Sequence, residues 1–454
     1  MPFKKPATRT VFTLALCVSI LVGVTIYQRH HQHQQKDTPA PVDYPIAEIS
    51  AQQLQRWKQQ NLPHQLIDAR PDHFYNGWPA GEGIKQGHIN GAINFQPSWL
   101  DLLDSPEKQG QLLKDKSITQ DSPVVIYGND HTVQPFYQYL KQQGFAKVFL
   151  LSGGMKAWSE SGYETRQLPL YEKLVHPQWL FEQTAANTGV KPIILEVGYD
   201  EQSAYKDGHI PGAVYLDTQK IEWDQGGSPS WNYMPDAKLL QVLTNYGIAK
   251  DATVVVYADK LAMAAYRAAI ALMYAGVTDV RVLNGGKKAW NSRGFDLQTE
   301  VNKPELLSRP SLISPTNKKL VINIPEAKTL LEKNDSVLAS IMTRAEFDGE
   351  KSGYLYYQKT GHIPGSTLLE SGNTAYDMDN YQDIDGTMRS WTEIETIWAN
   401  KAITPDKDIS FYCGTGWRAS EALFAAYLMG WEKISLFDDG WTGWSMDSNN
   451  PVSE

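Results

Sequence analysis

What most constrains the fold of this chain is one phrase that occurs three times. "GHINGAIN" begins at Gly87, "GHIPGAVY" at Gly208 and "GHIPGSTL" at Gly361. After each comes a short apolar run through a tyrosine: "VVIYGND" from Val124, "VVVYADK" from Val254 and "ISFYCGT" from Ile409. A third block closes each copy: "GFAKVFLLSGGMKAW" from Gly144, "GVTDVRVLNGGKKAW" from Gly276 and "GWEKISLFDDGWTGW" from Gly430. The order never changes, and the copies recur at roughly 120 to 155 residues, the size of a domain and not of a solenoid repeat. A chain of 454 residues also exceeds what one core organises. The repetition divides it into units at 45–166, 172–298 and 319–454, with "RQLPLYEKLVHP" and "TEVNKPELLSRPSLISPTNKK" as linkers.

Inside a unit the pattern alternates. "PVVIY" reads as a buried strand, "QPFYQYLKQQG" as an amphipathic helix stopped by glycine, and "AKVFLL" as the next strand. Such alternation predicts an α/β fold, a mainly parallel sheet with helices on both faces. Chemistry in these sheets sits in the loop after the carboxyl end of a strand. A net charge of −9 without a basic run argues against a nucleic-acid partner. Fourteen tryptophans are many for this length and are expected to fill cores and domain seams.

Lys4, Lys5 and Arg9 precede an apolar run from Val11 to Tyr27, a positive segment followed by a hydrophobic one. No small-residue cleavage signal follows in "TIYQRHHQHQQ". Residues 1–36 therefore read as an uncleaved membrane anchor and stalk that export the rest to the periplasm, with cleavage of a signal peptide as the alternative. Cys17 is an apolar residue of that anchor. The histidines of "RHHQHQQK" read as solvated stalk and not as a metal site. Export implies an oxidising compartment, where cysteines are usually paired. Cys413, alone outside the anchor, has no partner in its own chain. Such a thiol is either inert in a core or kept for its reactivity.

Its surroundings, "YCGTGWRAS", favour reactivity. Tyr412 ends a strand, Gly414 and Gly416 let the backbone turn tightly so that N–H groups converge, and "ASEALFAAYLMG" begins a helix whose N-terminus favours an anion. Arg418 adds a fixed positive charge. All three features stabilise a thiolate. The ring from Cys413 to Arg418 is one residue too small for a tetrahedral phosphate, and suits a single sulfur carried on the cysteine. A persulfide is therefore expected, and not a phosphocysteine.

On these motifs the chain resembles the rhodanese superfamily. After the stalk it is similar to exported bacterial sulfurtransferases with three rhodanese domains in tandem. The resemblance implies Cys413 as nucleophile and Gly414, Thr415, Gly416, Trp417 and Arg418 as its substrate-binding cradle. Gly128 and Ala258 stand at the cysteine position of the first two units, so only the third is expected to be catalytic, with the others shaping its cleft. The implied reaction takes sulfane sulfur from a small anionic donor, thiosulfate or alternatively 3-mercaptopyruvate, through a Cys413 persulfide to a thiophilic small-molecule or protein acceptor. A persulfide carrier passing sulfur between proteins is the non-enzymatic alternative. No metal or organic cofactor is implied. The family's Asp-x-Arg is present as Asp68 and Arg70 in the first unit, but the third has Ser340 and Met342, so Arg418 or Arg389 is expected to contact the anion. Asp439 replaces the first glycine of the closing block and is expected to adopt a left-handed backbone. His88, His209 and His362 recur in units without the cysteine, which points to a structural role and not to a base.

Overall fold

The computed structural model describes residues 44–186, 191–225 and 228–453; the anchor and stalk expected over 1–36 lie outside the described residues. Among the described residues no helix is long and apolar enough to cross a membrane. Three five-stranded parallel sheets follow one another. The first comprises β1 (Glu48–Ile49), β2 (Gln65–Asp68), β3 (Ala92–Asn94), β4 (Val124–Tyr127) and β5 (Val148–Leu151), in the order β1-β5-β4-β2-β3. The second repeats that order with β6 (Leu174–Val175), β7 (Ile193–Gly198), β8 (Val214–Asp217), β11 (Thr253–Tyr257) and β12 (Asp279–Leu283). A hairpin of β9 (Glu222–Gln225) and β10 (Ser228–Tyr233) is inserted between β8 and β11. The third sheet has β13 (Val321–Ile322), β14 (Ser336–Ser340), β15 (Thr367–Leu368), β16 (Asp408–Tyr412) and β17 (Ile434–Phe437), again in that order.

Register shows why the three phrases recur. The tyrosine that ends each central strand, Tyr127, Tyr257 or Tyr412, pairs with the last polar residue of its neighbour, Asp68, Glu196 or Ser340. Its hydroxyl accepts the N–H of the isoleucine in the glycine-histidine-isoleucine motif, Ile89 at 3.0 Å, Ile210 at 3.0 Å and Ile363 at 3.4 Å. The preceding histidine is a clasp. His88, His209 and His362 stack on Tyr75, Tyr205 and Phe347 at 3.7–3.8 Å between ring centroids. Each Nδ1 lies 2.7–2.9 Å from the carbonyl of that aromatic residue, which can only accept, so Nδ1 carries the proton. Each histidine also bridges antiparallel to the returning chain, at Arg166, Gln298 and Ser453. The closing-block tryptophans Trp158, Trp290 and Trp444 are buried, and their indole N–H groups donate to the carbonyls of Glu164, Asp296 and Pro451. Histidine and tryptophan thus seal every unit, whatever its loop carries.

The helix after each central strand bears on the site: α1 (Asp130–Gln142), α2 (Ala262–Ala275) and α3 (Trp417–Leu428). α2 is buried on nearly all sides, as a helix packed against both a sheet and another helix must be. It lies on α3, and small residues let the two backbones approach, with Tyr266 against Phe424 at 5.6 Å. The first and third units meet through another seam: Tyr75 and Thr392 hydroxyls at 2.7 Å, Trp99 donating to Asp385 at 2.8 Å, and Arg166 paired with Glu395 at 2.8 Å.

Candidate active site

β16 delivers Cys413 to the carboxyl edge of the third sheet, where it is fully buried. Gly416 caps α3 with φ +86°, a conformation that a side chain disfavours. Gly414 is needed for space, because a Cβ there would collide with the Tyr354 ring. The loop is held from behind by α4 (Gly440–Met446): Trp441 N–H donates to Cys413 O at 2.8 Å and Thr442 N–H to Gly414 O at 3.0 Å. The N–H and C=O of a trans peptide point opposite ways, so the N–H groups of Gly414 and Thr415 face away from α4. Gly440, φ +56°, lies against the Cys413 and Gly414 carbonyls, as Gly154 lies against Gly128 and Gly286 against Ala258. Gly128 and Ala258 therefore occupy the place of Cys413 in their own sheets.

Arg418 is not a free cation facing the loop. Its terminal nitrogens donate to both oxygens of Glu346 at 2.8 Å, and also to Ser371 Oγ at 3.1 Å and the Tyr354 hydroxyl at 3.0 Å. Arginine and glutamate are both buried. Burial works against the Arg418 charge, but Tyr354, Glu346 and Cys413 more than offset it and hold its pKa well above the ordinary value. Burial likewise opposes ionisation of Glu346, yet Arg418 and the Thr343 groups hold its pKa below the usual 4.5. Glu346 ends a Thr-x-x-Glu capping box with Thr343. That box is a readable local signal for a helix start, but it says nothing of a pairing 72 residues away.

Two expectations need correction. Arg389 does not line the site; it lies in the seam with the first unit, its guanidinium 3.9 Å from Glu393, which is bound in turn by Lys116. Asp439 is right-handed, φ −62° and ψ −29°. Its carboxylate accepts Ile324 N–H and Asn232 Nδ2, both at 2.9 Å, and these bonds fix the turn that a glycine makes in the other units.

In front of the loop is a cavity of about 290 Å³. Thr415, Trp417 and Arg418 supply its floor, Tyr354, Tyr356 and Tyr376 one wall, and Tyr199, Trp231, Leu261 and Met263 of the second unit the other. The aromatic rings form a continuous fence: Tyr199–Trp231 at 5.4 Å, Trp231–Tyr356 at 6.3 Å, Tyr356–Tyr354 at 5.2 Å, Tyr354–Tyr376 at 5.9 Å and Tyr199–Trp417 at 6.4 Å. Burial raises the Tyr354 and Tyr356 hydroxyls above the usual phenol value, so both are neutral donors at pH 7. Among the described residues the lining's one charged group is Arg418, and it is matched by Glu346. Such a fence of π-faces attracts an organic cation more than an anion. The floor is legible in the sequence as the "CGTGWR" loop and the walls are not, although the tyrosine cluster "YLYY" is a signal for one of them.

The model of the rhodanese-like domain matches residues 50–161, 180–293 and 323–447. The thiosulfate sulfurtransferase YnjE of Escherichia coli K12 is 36% identical over 407 residues, covering 88% of this chain and 91% of the relative. The sulfur carrier protein TtuD of Thermus thermophilus is 29% identical over 294 residues, 62% of this chain and 97% of its own. Among solved structures, wild-type EanB superposes with a TM-score of 0.84 at 33% identity, over 91% of this chain and 99% of that one. Structures of EanB variants hold hercynine or ergothioneine. The anaerobic ergothioneine biosynthesis enzyme of Chlorobium limicola, solved with its natural substrate trimethyl histidine, aligns with a TM-score of 0.83 and 33% identity over 90% of this chain and 99% of its own. The chain belongs to the rhodanese-like family, of which it carries three domains in tandem.

Proposed function

We propose that the chain is a sulfurtransferase in which Cys413 takes sulfane sulfur from thiosulfate and passes it to a small organic acceptor bearing a quaternary ammonium, of the trimethylhistidine type. The observation that carries this reading is the opening of the Cys413 loop onto a cavity fenced by aromatic rings from two domains. In the first half-reaction the Cys413 thiolate attacks the outer sulfur of thiosulfate. A new S–S bond forms, the old one breaks, and sulfite leaves with the electron pair. The Gly414 and Thr415 N–H groups and the start of α3 favour the anion during that exchange. In the second, an acceptor carbon bonds to the terminal sulfur and the persulfide bond breaks. Its electron pair returns to Cys413, and the proton lost from carbon passes to the product sulfur. Tyr354, held by Arg418 against Gly414, is placed to relay that proton. Gly128 and Ala258 cannot carry sulfur, so the first two domains contribute surface and not chemistry. The basic and apolar N-terminal run supports a periplasmic site of action, which cell fractionation with protease protection would test.

Intact-protein mass spectrometry after incubation with thiosulfate reads the first step as one added sulfur, absent in Cys413→Ser. Addition of trimethylhistidine should discharge it, and unmethylated histidine should not. An unmodified Cys413, or equal discharge by both amines, refutes the reading.

A further inference from the structure

The closing block of the third unit reads Asp-Asp-Gly where the others have Ser-Gly-Gly and Asn-Gly-Gly, a departure that sulfur chemistry does not explain. Both aspartates face the second unit. Asp439 accepts from Asn232, and Asp438 accepts Tyr233 N–H at 2.8 Å and pairs with Arg267 Nη2 at 2.7 Å. Arg267 comes from α2 and is fully buried. Its Nε donates to Glu222 at 2.7 Å, and the same oxygen of Glu222 accepts the Trp417 indole N–H at 2.7 Å. Nη2 also donates to the Trp231 carbonyl at 2.7 Å. The guanidinium lies 3.7 Å over the Tyr233 ring. The remaining nitrogen, Nη1, is buried without a hydrogen-bond partner among the described residues, and a Cβ on Gly416 would lie 2.7 Å from it.

We propose that Arg267 is a positioning residue of the second domain that sets the width of the acceptor cavity. One planar cation ties Trp231 on one wall to Trp417 on the floor, through Glu222, and anchors both to Asp438 next to α4. The loop carbonyls are held separately by Trp441 and Thr442. The device therefore acts on the large acceptor and much less on the thiol. Lysine cannot replace it, because a single ammonium lacks the fork that reaches Glu222, Asp438 and Trp231 together. The proposal rests on the reading of the cavity as the acceptor site.

Phenyltrimethylammonium serves as a binding probe, read by tryptophan fluorescence, and cyanide as an acceptor too small to touch the walls. In Arg267→Lys, the probe's Kd should rise about tenfold while thiosulfate–cyanide turnover changes less than about threefold. Because Arg267→Lys risks misfolding, Glu222 provides a second pair. Glu222→Gln keeps an acceptor for Trp417 and should hold the probe's Kd within about threefold, whereas Glu222→Leu should raise it about tenfold. Equal probe affinity in wild type, Arg267→Lys and Glu222→Leu overturns the proposal, as does a parallel loss of probe binding and cyanide turnover. A wild type without affinity for the probe removes the cavity as a binding site, and the proposal with it. A wild type that binds the probe but forms no persulfide refutes the sulfur-transfer reading alone, and probe affinity still decides the role of Arg267.

Discussion

Replacing Glu346 by glutamine strips the buried Arg418 of its counter-charge while keeping the side chain's shape. Both groups are inaccessible, at 1% and 0% exposure, so no solvent can re-solvate the guanidinium. Breaking a buried pair from one side costs about 3–5 kcal/mol, mostly the penalty on the charge left behind. Glutamine keeps one of the two accepting oxygens, which places Glu346→Gln near 3 kcal/mol at the lower end of that range. Arg418→Met alone should cost a similar amount. The double variant buries no unpaired charge and should be more stable than the sum of the two by about 3 kcal/mol. The assay is built into the chain. With Cys17→Ser, Cys413 is the sole thiol, and it is fully buried. Its labelling by a thiol reagent too bulky for the cavity then reports local opening of the loop. A cost of 3 kcal/mol should speed labelling by about 150-fold in Glu346→Gln, when opening and closing are fast relative to labelling. A coupling energy below about 1 kcal/mol, the range of an exposed pair, would refute the claim that this pair holds the loop together.

The same pair predicts a pH dependence. Glu346 is held below its ordinary 4.5, so its stabilisation is present above that pH and is lost as pH falls through the folded-state value; Glu346→Gln should flatten the acid limb of the unfolding curve. Trp231→Leu removes one face of the aromatic fence and should weaken phenyltrimethylammonium binding by about 5- to 30-fold, or 1–2 kcal/mol, while a neutral tert-butylbenzene probe loses less. Gly414→Ala should drive Tyr354 off Arg418 and lower turnover of the folded protein at least about tenfold; an active Gly414→Ala enzyme would show that Tyr354 is not needed where it stands. Cysteine installed as Gly128→Cys or Ala258→Cys in a Cys413→Ser chain should form no persulfide with thiosulfate, since neither loop has the second glycine and arginine of "CGTGWR"; a sulfur adduct at either position would show that the thiol alone suffices.

The local elements that recur in all three units were legible in the sequence. The strand ending in tyrosine, the glycine-flanked cysteine and the helix behind it are local, and their threefold recurrence calibrated each against the other two. What could not be read was long-range pairing. Arg418 looks like a free charge until Glu346 arrives from another element. Asp439 looks like a misplaced glycine until Ile324 and Asn232 donate to it. One wall of the cavity is carried on the second unit, in part by the β9–β10 hairpin, an insertion between β8 and β11 without a counterpart in the repeated motifs. Trp231 and Glu222 on that hairpin have no periodicity and no motif that points toward Cys413.

Because the cavity's walls belong to two domains, whatever fills it is also a cross-link between them. A ligand that touches both walls and binds only the docked domains stabilises them by RT ln(1 + [L]/Kd), about 2.7 kcal/mol at a hundredfold excess over Kd. Neither the second nor the third domain can unfold without surrendering that term. Heated empty, the two should melt at separate temperatures; heated with a ligand that fills the cavity, they should melt together, so a calorimetric scan would show two transitions drawing into one as ligand is added. Occupancy of the site would be recorded in the cooperativity of the chain as well as in its turnover.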